Sequence, residues 1–95
     1  EKEMETIFHS KVQLPSGGNI MIQQTEALVT IDVNTGSFTG RKSYDETIKK
    51  TNMEAAYEVA RQIRLRDLSG IMVIDFIDMR REKDKEEVLD VLKNF

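Results

Sequence analysis

The chain has 95 residues, of which 39% are hydrophobic and 33% charged, and this length predicts a single domain or a fragment of a larger protein. The formal net charge of −3 argues against a stand-alone nucleic-acid binder, because Lys and Arg contacts to phosphates supply most of the affinity of such proteins. The absence of cysteine excludes disulfides and thiolate metal sites and is typical of the cytoplasm. No long apolar run and no basic-then-apolar N-terminus occur, so neither a membrane span nor a signal peptide is expected.

The N-terminal part of the chain predicts a hairpin. Residues 11–14 alternate polar and apolar with a period of two, and residues 19–24 form the second strand. The Pro-Ser-Gly-Gly segment between them is a strong turn signal. The first six residues are expected to be an unpatterned lead-in, and His9, the only histidine, is expected in a frayed N-terminal region.

Residues 27–34, ALVTIDVN, predict a third strand with an acid on its polar face. Alternation directs Val29, Ile31 and Val33 to one face and leaves Asp32 and Asn34 together on the other. A carboxylate in an apolar strand is costly unless a charged or hydrogen-bonding group meets it. We therefore treat Asp32 as a candidate functional residue.

A long helix follows. Ser43 and Glu46 match a capping box, and apolar residues then recur at helical spacing through about residue 65. Asn52 lies on or beside the apolar stripe, so it is either a polar residue at the edge of the stripe or a buried amide that orients a neighbour. We favour the edge position.

The C-terminal part predicts one more strand and one more helix. Ser69 and Gly70 end the long helix, and residues 71–76 form an apolar run that is interrupted only by Asp75, a pattern typical of a strand covered on both faces. Residues 80–85 are expected to be a solvated charge run. Apolar residues from Val88 to Phe95 then form one side of a final helix.

The predicted order βββαβα indicates an α/β fold of the α+β-like kind. It consists of an antiparallel three-strand meander plus a fourth strand parallel to the third, with the helices packed on the sheet. The helix between the last two strands makes a right-handed crossover, which brings Asp32 and Asp75 side by side near the carboxyl ends of adjacent strands. Open α/β sheets commonly bind ligands at that edge.

Asp32, Asn34 and Asp75 together form a candidate Mg²⁺ site, with Mn²⁺ as a possible substitute. Two carboxylates plus waters commonly hold Mg²⁺, which completes its octahedron with substrate phosphate oxygens. In the alternative reading, one aspartate caps a loop and the other pairs with an arginine. Asp78 would face away from Asp75 in an extended strand, so it is a surface or capping residue and only a weak extra ligand candidate.

Two groups of cations are candidates for phosphate binding. Arg41 and Lys42 lie in a glycine-containing loop just before a helix N-terminus, where backbone N–H groups favour anions, although no Walker pattern is present. Three further arginines near the end of the long helix complement its dipole and can pair with Asp67, and we rank that role above phosphate binding. These three are Arg61, Arg64 and Arg66.

Long segments between residues 14 and 79 resemble the ribonuclease E/G family. The similar segments are LPSGG, TEALVTIDVNTG and TNMEAAYEVARQIRLRDLSGIMVIDFIDM, in the family's order and spacing. The resemblance is to the DNase I-like subdomain of the catalytic half, and it implies that Asp32 and Asp75 hold a catalytic Mg²⁺ while Asn34 supports Asp32. It also implies hydrolytic cleavage of single-stranded RNA to 5′-phosphate and 3′-hydroxyl ends, in RNA decay and in rRNA and tRNA maturation.

The resemblance covers only part of such an enzyme. Nothing in the chain resembles the S1 RNA-binding module or the 5′-end sensor, and the cysteine pair that links family subunits through zinc is absent. We therefore expect residues 1–95 to be the metal-binding catalytic subdomain of a larger, cytoplasmic ribonuclease, one that cleaves RNA poorly or not at all when isolated. The rival readings are a non-catalytic α/β scaffold or interaction domain with structural aspartates, and a metal-dependent nucleotide phosphotransferase, which lacks a recognisable phosphate-binding loop.

Overall fold

The computed structural model describes residues 6–36, 44–66 and 70–94, with side chains from residue 8 onwards. The strands form one four-stranded sheet in the order β1-β2-β3-β4, antiparallel except for the parallel β3–β4 pair. This confirms the predicted βββαβα fold with its parallel last pair of strands. The elements are β1 (Thr6–Gln13), β2 (Asn19–Thr25), β3 (Leu28–Asn34), α1 (Tyr44–Arg66), β4 (Ile71–Asp75) and α2 (Glu82–Lys93).

The hydrophobic core lies between one face of the sheet and α1. Alternate residues of β2 and β3 are buried, as their period-two pattern predicts, and they pack against Ala55 and Val59 of α1. The helix α2 packs mainly on α1, through Ala56, Val88 and Val91, and its Leu92 also packs against the core between α1 and the sheet. Neither of these two described helices is both long and apolar enough to cross a membrane.

The opposite face of the sheet is not covered by any described element, and we call it the open face. Both helices lie on the same side of the sheet, so alternate side chains of all four strands remain exposed on the other. Its exposed residues are His9, Lys11, Gln13, Gln23, Thr30, Asp32, Asn34, Ile71, Val73 and Asp75. This face carries both predicted site aspartates.

The prediction that β4 is covered on both faces is wrong. Ile71 and Val73 are 66% and 51% exposed, whereas Met72 and Ile74 pack against the core. An apolar run shows that a strand contains few polar residues, but it does not show whether a second layer covers both of its faces.

The prediction that His9 lies in a frayed region is also wrong. The first strand is longer than its apolar alternation indicated, and His9 lies within β1, opposite Gln23 of β2. The hairpin ladder continues to the pair Thr6–Thr25 across an irregularity before Phe8. Backbone pairing to β2 therefore extends the strand through residues whose side chains give little β signal.

Residues 80–85 were expected to be a solvated charge run, but the structure shows that they are not uniformly solvated. It contains the start of α2, and Asp84 is only 5% exposed. Its carboxylate lies 3.3 Å from Arg81 Nε and 3.7 Å from Lys49 Nζ, so two cations meet the buried charge. The helix α1 begins at Tyr44, and the predicted N-cap residue of its capping box, Ser43, lies outside the described residues.

Candidate functional site

The two aspartates are direct neighbours in the sheet. Asp32 of β3 pairs with Asp75 of β4 in the parallel ladder, and both side chains are exposed on the open face. Neighbouring strands lie about 4.8 Å apart, and paired residues project to the same face. The two residues therefore lie side by side on the open face, with their backbones about one strand spacing apart, as the crossover argument predicted.

No cation of the described part of the chain neutralises this acid pair. The ion pairs formed by residues 6–36, 44–66 and 70–94 do not involve Asp32 or Asp75. Arg80 and Arg81, which follow β4, instead lie 3.0 Å and 3.7 Å from the carboxylate of Asp45 on α1. Like charges on adjacent strands repel, so a bound cation would stabilise the arrangement.

Asn34 lies at the end of β3, on the same face as Asp32. Its Nδ2 donates a hydrogen bond to Oδ1 of Asn19, its partner in β2, at 3.2 Å. This bond fixes the amide plane and does not use the Asn34 Oδ1. The side chain is therefore held on the β2 side of β3, on the same face as Asp32, with an oxygen still able to act as an acceptor.

Two glycines allow the turn after β1 to pack against the segment that follows β3. A Cβ on Gly36 would lie 2.6 Å from the carbonyl oxygen of Gly17, and a Cβ on Gly18 would lie 2.5 Å from the backbone oxygen of Asn34. Both distances are shorter than carbon–oxygen contact allows, so the two backbones approach this closely only without side chains. The Pro-Ser-Gly-Gly segment thus supports the site as well as reversing the chain.

Asn52 of α1 is a buried amide, so its assignment to the edge of the apolar stripe was wrong. Its side chain is 0% exposed, donates from Nδ2 to the Ile77 carbonyl oxygen at 2.8 Å and accepts from the Ile77 N–H at 3.1 Å. Ile77 lies two residues after Asp75, where β4 has ended and the backbone needs other partners. Asn52 therefore fixes the chain that leaves the acid pair. Only its position on the apolar stripe signalled this role in the sequence.

The helix α1 also anchors the turn before β2. The Glu54 Oε1 accepts hydrogen bonds from the backbone N–H of Ser16 at 3.1 Å and from the Ser16 hydroxyl at 2.7 Å. Asn52 and Glu54 lie two residues apart, and each holds a different segment next to the site. One helix thus sets the position of the chain on both the β2 and the β4 side.

The structure describes only some of the cations that were predicted to bind phosphate. Arg41 and Lys42 lie outside the described residues. Arg61 pairs with Glu58 at 3.0 Å, and Arg66 lies 4.3 Å from the centre of the Phe8 ring. These contacts support the structural role given to those two arginines, although the predicted partner Asp67 is not among the described residues. Asp78 is exposed beyond the end of β4, as expected of a surface residue.

The donor set fits a hard divalent cation that keeps much of its water. Within the described ranges, no group of three or more His, Cys, Asp and Glu side chains could hold a metal ion. The acid pair offers two carboxylates, with the Asn34 amide nearby, and all are oxygen donors. Mg²⁺ is bound in this way, through one or two carboxylates with waters and substrate phosphates filling the other positions, and carboxylate and water also suit Mn²⁺.

Comparison with known proteins shows that the chain is similar to ribonucleases. A sequence profile of the Ribonuclease E/G family matches residues 1–95. The chain is 50% identical over 93 residues to Ribonuclease G of Escherichia coli (strain K12), covering 98% of the chain and 19% of that protein. It is 55% identical over 80 residues to Ribonuclease E of Nostoc sp., covering 84% of the chain and 12% of that protein. It is 51% identical over 88 residues to Ribonuclease E of Haemophilus influenzae, covering 93% of the chain and 9% of that protein.

Proposed function

The chain belongs to the ribonuclease E/G family, and on that premise we propose that it is the metal-binding catalytic part of an endoribonuclease. The substrate of the longer protein would be single-stranded RNA, hydrolysed to 5′-phosphate and 3′-hydroxyl ends during RNA processing and decay in the cytoplasm. The observation that carries this proposal is the register of Asp32 with Asp75 on the open face. Two adjacent carboxylates without a described cation partner suit a site for Mg²⁺ or Mn²⁺.

The residues of this chain would have different roles at such a site. Asp32 and Asp75 would bind the ion, and Asn34 would orient the neighbouring carboxylate or accept a hydrogen bond from the substrate. When bound, the ion polarises the phosphodiester, lowers the pKa of an attacking water and stabilises the leaving oxygen. Asn52 keeps Asp75 in register by holding the backbone of Ile77. The open face gives an RNA strand access to both aspartates.

We infer that the rest of the protein supplies most of the affinity for RNA. The chain spans between 9% and 19% of the length of the relatives described above. Its own net charge is −3, which gives little overall attraction for phosphates. The isolated 95-residue chain should therefore bind the metal ion but cleave RNA poorly or not at all.

A Mn²⁺ titration followed by NMR tests the metal site. Paramagnetic broadening of the ¹⁵N–¹H signals should begin at Asp32, Asn34 and Asp75, and Asp32→Asn should abolish it. Glu86→Gln, which removes one exposed carboxylate from α2, is the charge-matched control and should leave the broadening unchanged. If no selective broadening at the acid pair occurs up to about 20 mM, a lenient limit because such sites commonly need substrate phosphates, the non-catalytic scaffold reading replaces the proposal.

A cleavage assay tests whether the remaining parts of the longer protein are needed for RNA cleavage. The purified 95-residue chain is incubated with Mg²⁺ and a labelled single-stranded RNA oligonucleotide, and the longer protein is assayed beside it. Rapid Mg²⁺-dependent cleavage by the 95-residue chain would refute the claim that the remaining parts of the protein are needed.

A further inference from the structure

The open face places a lysine in line with the acid pair. The strand pairings join Lys11 of β1 to Met21 of β2, Met21 to Asp32 of β3, and Asp32 to Asp75 of β4. Paired residues project to the same face, so these four positions form one row that runs across the strands. Lys11, Asp32 and Asp75 are exposed and Met21 is half-buried. We call this the acid row.

Lys11 forms no ion pair with the two acids in the described part of the chain. Two strand spacings, about 10 Å, separate its backbone from that of Asp32. No ion pair joins Lys11 to any other residue in the described part of the chain. Its charge is therefore available to an external anion on the same face as the acid pair.

The rows on either side of the acid row carry further hydrogen-bonding groups. One neighbouring row contains His9, Gln23 and Thr30, and the other contains Gln13, Asn19 and Asn34. Among the described residues of the open face, the imidazole of His9 is the one aromatic ring, and Phe, Tyr and Trp do not occur, so the face provides little platform for stacking bases. Such a surface suits contacts to phosphates and sugars, which position a strand without reading its sequence.

We propose that RNA bound at the acid pair continues across the sheet along the acid row, with Lys11 binding a backbone phosphate beyond the cleavage site. This proposal rests on the proposed function, because the metal ion at Asp32 and Asp75 fixes where the strand begins. Lys11 would act as a positioning residue rather than a catalytic one. The competing explanation is that Lys11, on the edge strand β1, only protects that edge from pairing with another chain.

NMR and fluorescence anisotropy with the 95-residue chain distinguish these explanations. A short single-stranded RNA made resistant to cleavage is added in the presence of Mg²⁺. We expect amide shifts at Lys11, Gln23, Thr30 and Asp32, with little change along α2. Lys11→Ala should weaken RNA binding, whereas the control Lys93→Ala, an exposed lysine of α2, should not.

The salt dependence gives a sharper readout than affinity alone. Loss of one phosphate contact to a single strand reduces the slope of log K against log salt by about 0.7. The affinity advantage of wild type over Lys11→Ala should therefore shrink about 2.6-fold between 50 and 200 mM salt, since a fourfold change in salt is raised to that power. An edge-protecting lysine would alter self-association but would not alter this slope.

The proposal and the proposed function fail in different ways. If Mn²⁺ broadens the signals of Asp32 and Asp75 but RNA leaves β1 unshifted, or Lys11→Ala keeps the wild-type salt slope, the RNA path is wrong and the metal site stands. If Mn²⁺ binds nowhere near the acid pair, the proposed function fails first. Concentration-dependent shifts on the open face without RNA would show that a second copy covers it, and this would also overturn the path.

Discussion

Replacing Asn52 by alanine is expected to lower the free energy of unfolding by about 2–6 kcal/mol. The substitution removes both hydrogen bonds to Ile77 and leaves its part-buried N–H and carbonyl without protein partners, at about 1–3 kcal/mol each. The side chain is fully buried, so water does not readily replace it. A domain of this length has about 5–14 kcal/mol of stability, so the variant should remain folded in most of that range.

Urea unfolding followed by circular dichroism measures this loss. With a slope of about 1–3 kcal/mol per molar urea, a loss near the middle of the range moves the midpoint down by about 1–4 M. Gln62→Ala is the matched control, because Gln62 is also a buried polar residue of α1, but its hydrogen bonds within the described part of the chain are to Glu58 and Arg66 of the same helix. Equal midpoints for the two variants would refute the view that Asn52 fixes the segment after β4. Unchanged hydrogen exchange at the Ile77 amide in Asn52→Ala would refute it independently.

Four other substitutions test three separate parts of the structure. In the longer protein, Asp32→Asn or Asp75→Asn should abolish RNA cleavage while the free energy of unfolding stays within about 0.5 kcal/mol of wild type, because both residues are exposed; near-normal turnover would show that the aspartate is not part of the site. Gly36→Ala puts a Cβ 2.6 Å from an opposing backbone oxygen, so it should lower the free energy of unfolding by about 1–3 kcal/mol and weaken the Mn²⁺ broadening. Unchanged stability would show that the turn moves to make room for the Cβ. The hydrogen bond from Lys49 lowers the pKa of Glu87 in the folded state. The pair therefore stabilises the fold at pH values above the pKa of Glu87 in the unfolded chain, and this contribution is lost as the pH falls through the lower pKa of Glu87 in the folded state. Glu87→Gln should therefore lose less stability than wild type between about pH 7 and pH 3 in urea titrations, and identical losses would show that the pair contributes nothing.

The sheet could be predicted from the sequence because local pattern and handedness agree. The turn at residues 15–18 determines the hairpin, and alternation in β3 identifies the buried face. The helix between β3 and β4 then requires a parallel crossover. The placement of Asp32 opposite Asp75 follows from these three steps, since both acids lie near the carboxyl end of their strands.

The errors share a physical origin, because each depends on which surfaces meet in three dimensions. The exposure of Val73 depends on both helices packing on the same side of the sheet. The burial of Asn52 depends on the backbone of Ile77 arriving beside α1. A polar residue within a helical stripe has the same local signal whether it faces water or an unpaired peptide group. The roles of Arg41 and Lys42 remain predictions, because those residues lie outside the described ranges.

The parallel pairing of β3 with β4 has a consequence for the order in which the chain folds. The meander of β1, β2 and β3 is built from contacts between sequence neighbours, whereas β4 joins β3 only after the chain has closed a loop that contains all of α1. Such long-range pairings form late on average, so the two aspartates meet late as well. A cation that binds them should therefore slow unfolding and leave the folding rate nearly unchanged, because we expect the interaction that it stabilises to form after the folding transition state.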